Sequence, residues 1–270
     1  MTRPRSISLA IAAASAIAVW FLGAPGAYAQ SQSAAGAALH REYDVAHWAA
    51  SSPSRAGLSL AGLAIPGLQL RARTDRPAAE GGVRLSFGSG VDTTLVIQII
   101  VSADGAGGRD ALLGFLNEAQ ATMIPLADRQ GADVAYGENP RGTESAAALY
   151  SNVAIYIRRT RDARAETPSA FQVLAVLRAR LGPVAAATNA TPASMRLATR
   201  APSAGSPARI VDLGAAFEHV EATVTGGFQL GAPTPAGIHV VAESQSGATV
   251  NVWATDGWAR VSVGSIVVPR

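Results

Sequence analysis

His40, Asp44 and His47 are the residues whose types and spacing come nearest to chemistry in this chain. They sit in the run Leu39-His40-Arg41-Glu42-Tyr43-Asp44-Val45-Ala46-His47-Trp48 and would share one face if that run is a helix. Two imidazoles and a carboxylate suit zinc, and a metal-dependent hydrolase is the activity such a face would serve. The competing reading is an amphipathic N-terminal helix that packs Tyr43 and Trp48. No other histidine is near, since His219 and His239 lie far downstream in strand-like sequence. Two further stretches imitate chemistry. Gly88-Ser89-Gly90 lacks the longer pattern and the following helix of a nucleophile elbow, so it reads as a turn. Gly105-Ala106-Gly107-Gly108-Arg109-Asp110 lies where a phosphate cradle would sit, between a strand and a helix. It lacks the Lys-Ser/Thr of a P-loop and the dinucleotide spacing, and an Asp at the cap repels phosphate. It too reads as a tight turn. No catalytic residue and no cofactor are assigned.

The elements that must position any site begin after a leader. Arg3 and Arg5, an apolar stretch over residues 7–22 and Ala27-Tyr28-Ala29 before Gln30 have the form of a cleaved secretory signal over residues 1–29. A retained membrane anchor is the alternative, with the apolar stretch short for a span. After cleavage no stable membrane span is expected. All 22 basic residues are Arg, and the formal charge of +3 falls by two once Arg3 and Arg5 leave. That excludes a polyanion binder, because nucleic-acid affinity needs clustered positive charge. The chain has 0 Cys, which removes disulfides, thiol nucleophiles and thiolate metal sites. Export without disulfides from an Ala- and Arg-rich chain points to a periplasmic or secreted bacterial envelope protein.

Residues 30–54 read as a flexible or helical segment, residues 55–183 as an α+β domain, residues 184–208 as a Pro-, Ala- and Thr-rich linker, and residues 209–270 as a β-rich module. Within residues 94–181 the chain makes one strand-then-helix unit and then another. Residues 95–101 are an apolar, β-branched run that predicts a strand buried on both faces. Asp110 is placed to cap the helix after it, with Leu112, Phe115, Leu116 and Ala119 on one face. Residues 153–157 predict a second strand with one face half exposed, ending in solvent at Arg158 and Arg159. Thr167 and Pro168 then open a helix with the stripe Phe171, Leu174, Leu177 and Leu181. The reading is an antiparallel sheet carrying two helices on one face, either an ordinary α+β domain or a duplicated unit. Earlier in the chain Leu68 and Leu70 are expected inward, with the arginines around them outward.

Asn152-Val153-Ala154-Ile155, after the turn at Gly131-Ala132-Asp133, resembles a segment of exported bacterial proteins of uncharacterised role. Tyr136, Tyr150 and Tyr156 could line a groove or fill a core, and Tyr156 is taken as a ligand candidate.

The last third changes to short strand-like runs separated by Gly, Pro and Ser turns, a spacing that suits a small barrel. Asp256-Gly257 predicts a hairpin that sets Val250 and Val252 opposite Ala259 and Val261. Phe228-Gln229-Leu230 with Ala232-Pro233-Thr234, then Gly247-Ala248-Thr249-Val250-Asn251-Val252, and above all Asp256-Gly257-Trp258-Ala259-Arg260-Val261 resemble the bacterial SH3-like domain over residues 222–268. The chain departs from that pattern at Gly231, where an Arg is common, and at Gly264-Ser265-Ile266-Val267-Val268, where the family closes on Gly-Trp-Val. The resemblance implies attachment to cell-wall peptides or glycans, with Trp253 and Trp258 as the binding aromatics. The expected function is a non-enzymatic module that contacts peptidoglycan or an envelope protein. The alternatives are an assembly subunit that pairs through a strand edge, residues 95–101 being the candidate edge, and the hydrolase.

Overall fold

The structure, a computed structural model, describes residues 43, 45, 48, 53–89, 92–119, 121–160, 163, 166–184, 195–200, 208–225, 228–231, 238–242 and 248–268. The alternating and continuous apolar runs become strands, and seven of them build one antiparallel sheet. These are β1 (Gln69–Asp75), β2 (Val83–Ser89), β3 (Asp92–Val101), β4 (Ile124–Pro125), β5 (Val134–Gly137), β6 (Ser145–Tyr150) and β7 (Val153–Arg159). Their order across the sheet is β1-β2-β3-β7-β6-β5-β4. Two meanders therefore meet where β3 pairs with β7. Each meander is followed by a helix, α1 (Gly105–Glu118) after β3 and α2 (Ala170–Arg178) after β7. The first domain is α+β, and β3 lies at its centre, so the segment considered as a pairing edge is paired on both sides.

The two helices lie on opposite faces, contrary to the expectation of one shared face. Leu95, Ile97 and Ile99 of β3 and Val153, Ile155 and Ile157 of β7 share a core with Val173, Leu174 and Leu177 of α2. Ile100 and Ala154, on the other side of the same strands, share a second core with Leu112, Phe115 and Leu116 of α1. Strands apolar on both faces demand a cover on each. A twofold axis relating β3 to antiparallel β7 would run through the sheet and keep both helices on one face, so the two strand-helix units are not a symmetric pair. Each fully buried leucine of the two stripes contributes about 1.5–3 kcal/mol of transfer free energy against the cost of ordering it.

The helix starts also differ from expectation. Asp104, not Asp110, is the N-cap of α1, and its carboxylate accepts from the Gly107 amide at 2.8 Å. Gly108 lets the first turn lie close against the β6–β7 turn, because a Cβ there would lie 2.3 Å from the Ser151 carbonyl oxygen. Ser169, not Thr167, caps α2 in a reciprocal capping box with Gln172. Leu70 is 52% exposed. A bulge between Leu70 and Ala72 breaks the alternation of β1, and the register sets Arg73 opposite Leu85 and Asp75 opposite Val83 on the α2 face.

The C-terminal strands are β8 (Ala198–Arg200), β9 (Ala208–Asp212), β10 (His219–Thr225), β11 (Phe228–Leu230), β12 (Ile238–Ala242), β13 (Ala248–Thr255) and β14 (Val261–Val268). β8 falls inside the stretch read as linker. Among the described residues these strands form two sheets, β11-β12-β9-β8 and β10-β13-β14, and do not close into a barrel. Val211, Ile238, Val250, Val252 and Val268 fill the core between them. On the outer side only the loop end is covered, where Thr255 is fully buried and Val261 packs against the first domain's core, while Val263 and Val267 further along β14 are exposed.

The hairpin of β13 and β14 runs in a different register from the expected one, with Val252 opposite Gly264 and Thr255 opposite Val261. Asp256 organises a longer loop instead of a two-residue turn. Its Oδ1 accepts from the Trp258 and Arg260 amides at 2.9 and 3.2 Å, and its Oδ2 holds Arg260 at 2.7 Å. The loop pushes Trp258 and Ala259 into the first domain. Ala259 belongs to the α2-side core, the Leu58 amide donates to the Trp258 carbonyl at 3.1 Å, and the Trp258 ring covers Gly182.

Candidate functional site

His40, Asp44 and His47 lie outside the described residues. Their neighbours Tyr43, Val45 and Trp48 are buried in the α1-side core. Trp48 Nε1 donates to the Tyr136 hydroxyl at 2.9 Å, and that hydroxyl donates to the Tyr43 carbonyl at 3.0 Å. Trp253 and Trp258 both stand at the seam between the C-terminal sheets and the first domain. Trp253 carries the Arg76 guanidinium 4.6 Å from its ring centre, a cation–π contact. Trp258 packs on Gly182. Tyr156 is on the α1 face of the seven-stranded sheet, away from both.

The seam gathers a cluster that sequence reading did not find. Asp75, His219 and Glu221 bring their ligand atoms within 4.8 Å of one another. Such a trio suits a divalent ion, but each carboxylate already has a guanidinium. Arg73 grips Asp75 through Nε at 2.9 Å and Nη2 at 3.0 Å, and Thr255 also donates to it. Arg76 holds Glu221 at 3.0 Å, and the Asp75 amide donates to the other Glu221 oxygen at 3.0 Å. His219 Nε2 lies 3.4 Å from Glu221, within ion-pair reach when protonated but not aligned as a hydrogen bond. Burial pushes the Glu221 carboxyl up, yet His219, Arg76 and the Asp75 amide together outweigh it and hold the group below its ordinary value. With two guanidinium groups against two carboxylates the cluster is already balanced, and a metal would have to displace both arginines. It fastens the two parts of the chain. The bulge in β1 hid it, because alternation alone sends Arg73 outward.

The open half of the α1 face is the better site. α1 ends at Glu118 and covers only the rows of the sheet nearest Ile100 and Ala154. Beyond it the register lines up Ser86, Val96, Arg158 and Ser145, and beside them Arg84, Gln98, Tyr156 and Ala147. A cavity of about 300 Å³ opens there, between the segment bearing Ala119, Ala121 and Met123 and the wall made by Ser145, Tyr156, Arg158 and Thr160. Glu138 and Glu144 stand at its rim. Ser145 is buried, its hydroxyl donates to Glu138 at 3.3 Å, and it also lies within hydrogen-bonding reach of the Tyr156 phenol. Tyr156 stacks on Phe115 with ring centres 5.8 Å apart, and burial pushes its phenol pKa up. Arg159 does not end the strand in solvent, because it pairs with Glu144 at 2.9 Å.

The cleft can donate and accept hydrogen bonds to something small. Its described lining holds a serine whose hydroxyl donates to a carboxylate, together with a phenol and a guanidinium. One member, Tyr156, is legible in the sequence as an aromatic on a strand. The others come from four separated segments that only the strand order β3-β7-β6-β5 brings together. No protein-family model, no curated protein and no solved structure matches this chain. Among the described residues no helix is long and apolar enough to cross a membrane.

Proposed function

We propose that this is an exported bacterial envelope protein that binds a small polar component of the cell wall, without transforming it, in the cleft beside Tyr156. One observation carries this reading. The sheet face left open beyond α1 presents Ser145, Tyr156 and Arg158 to a cavity of about 300 Å³, the lower end of the size range of small-molecule sites. The signal-like residues 1–29 and the resemblance of residues 222–268 to bacterial SH3-like domains support the same compartment and the same class of partner.

The test is co-sedimentation of the mature protein with purified bacterial cell wall, beside the variant Ala121→Trp. Ala121 lines the cavity and is half-buried, so the larger ring fills the cleft without removing a hydrogen bond. Wild-type protein is expected to pellet with the wall and the variant to remain in solution. Equal retention of both would move binding elsewhere on the molecule, and no retention of either would end the wall-binding reading.

A further inference from the structure

Arg158 lines the cleft, and among the described residues no group accepts a hydrogen bond from its guanidinium. The next residue along the strand, Arg159, is paired with Glu144. Arg84 is also without a hydrogen-bonding partner among the described residues, and the register sets it on the same face. Arg84 faces Gln98, Gln98 faces Tyr156, and Arg158 is two residues beyond Tyr156 on β7. β2 and β7 are two inter-strand steps apart, roughly 10 Å, less than the combined reach of two extended arginine side chains. Both are half-buried. Burial, then the charge of Arg158, lower the Arg84 pKa, and only Glu118 pulls the other way. Two partly desolvated cations that repel each other do not help this sheet to fold. An anion between them would relieve the repulsion and supply the bidentate partner that guanidinium geometry favours.

The opposite rim has the opposite sign. Glu138 carries a carboxylate whose one described side-chain partner is Ser145. Between that rim and Arg158 the wall of Ala119, Ala121 and Met123 is apolar. We propose that the cleft binds a small zwitterion of the amino-acid class, an alanyl dipeptide by size. Its carboxylate sits on Arg158, with the Arg84 charge beyond it on the same sheet face, its ammonium on Glu138, and its methyl groups face Ala121 and Met123. This rests on the reading of the cleft as a binding site and names what fills it.

Calorimetric titration of the mature protein with alanyl-alanine, its N-acetyl form and its C-terminal amide tests the assignment. The free dipeptide is expected to bind, and each capped form to bind about tenfold or more weakly, the scale of one charge-assisted contact. Arg158→Gln is expected to weaken the free dipeptide and the acetylated form alike while leaving the melting temperature unchanged or higher, since a repulsion is removed. Glu138→Gln, an exposed position, is expected to weaken only the forms that keep the ammonium. Capped and free dipeptides binding equally would overturn the assignment, as would an Arg158→Gln variant with undiminished affinity. If the dipeptide fails to bind while cell wall still retains the protein through the cleft, the zwitterion is wrong and the binding-protein reading stands. If neither binds, both fall.

Discussion

Thr255 donates its hydroxyl to Asp75, and that bond joins the end of β13 to the edge strand of the seven-stranded sheet. Both side chains are fully buried, and Asp75 also holds Arg73, which is nearly so. Thr255→Val keeps the shape and removes one donor to a buried carboxylate. It is expected to lower stability by about 1–3 kcal/mol, whereas Asp75→Ala strands the Arg73 charge and is expected to cost about 3–5 kcal/mol. Urea unfolding of the two variants checks the order. An unchanged midpoint for Thr255→Val would mean that the bond contributes nothing.

The same seam makes the protein acid-sensitive. Glu221 has its carboxyl held below the ordinary value of 4.5 in the folded state. A depressed carboxylate contributes stability that is present above its unfolded pKa and is lost as pH falls through the folded one. Midpoints measured from neutral pH down to about pH 3 should therefore fall at the acid end, over the ordinary range for carboxyl groups. Glu221→Gln is expected to be less stable at neutral pH and to lose part of that slope. Parallel curves for the variant and the wild type would remove Glu221 from the account.

Tyr150 offers the opposite sign at alkaline pH. Its hydroxyl is buried in the α2-side core with no hydrogen-bond partner among the described residues, and its pKa is raised to about 12. Burial is the main cause, with Arg178 and Arg55 pulling down and Asp128 pushing up. A raised pKa means that stability is complete below the unfolded value near 10 and declines as pH climbs through the folded one. The chain contains no Lys, so tyrosines dominate titration in that window. Tyrosinate absorbance should show a late step that Tyr150→Phe abolishes. The same substitution deletes an unsatisfied hydroxyl, and it is expected to be neutral or up to about 1 kcal/mol stabilising at pH 7. A loss of stability there would reveal a partner for that hydroxyl.

The sequence shows apolar periodicity directly, and this is why β3, β7 and the stripes of both helices can be read from it. Leu95, Ile97 and Ile99 alternate with Val96 and Ile100, so burial on both faces was legible. Which helix took which face was not, because a strand apolar on both sides accepts a cover on either. The bulge at Arg71 is a one-residue change of phase that composition does not mark, and it moved Arg73 and Asp75 to the face where the seam forms. The cleft was legible only in Tyr156. Arg158 reads in the sequence only as a strand end in solvent, Arg84, Glu138 and Ser145 carry no local signal, and strand order alone brings them to one side of the sheet.

Asp256-Gly257 predicts a short turn, and the greater length of the loop in the structure decides how the whole chain unfolds. An independent C-terminal module would unfold in its own transition. Ala259 instead belongs to the core of the first domain, at a left-handed φ of 56° fixed by the loop, and Trp258 closes over Gly57 and Gly182. Gly57 has φ +136°, and a Cβ there would lie 2.2 Å from the Trp258 carbonyl oxygen. Gly57→Ala thus combines a backbone conformation closed to other residues with a clash against backbone, and is expected to cost about 2–4 kcal/mol. Calorimetry on the wild type should show one transition, and Gly57→Ala should lower that same transition. Two transitions, with only one of them moved, would mean that the loop rests on the first domain without completing its core.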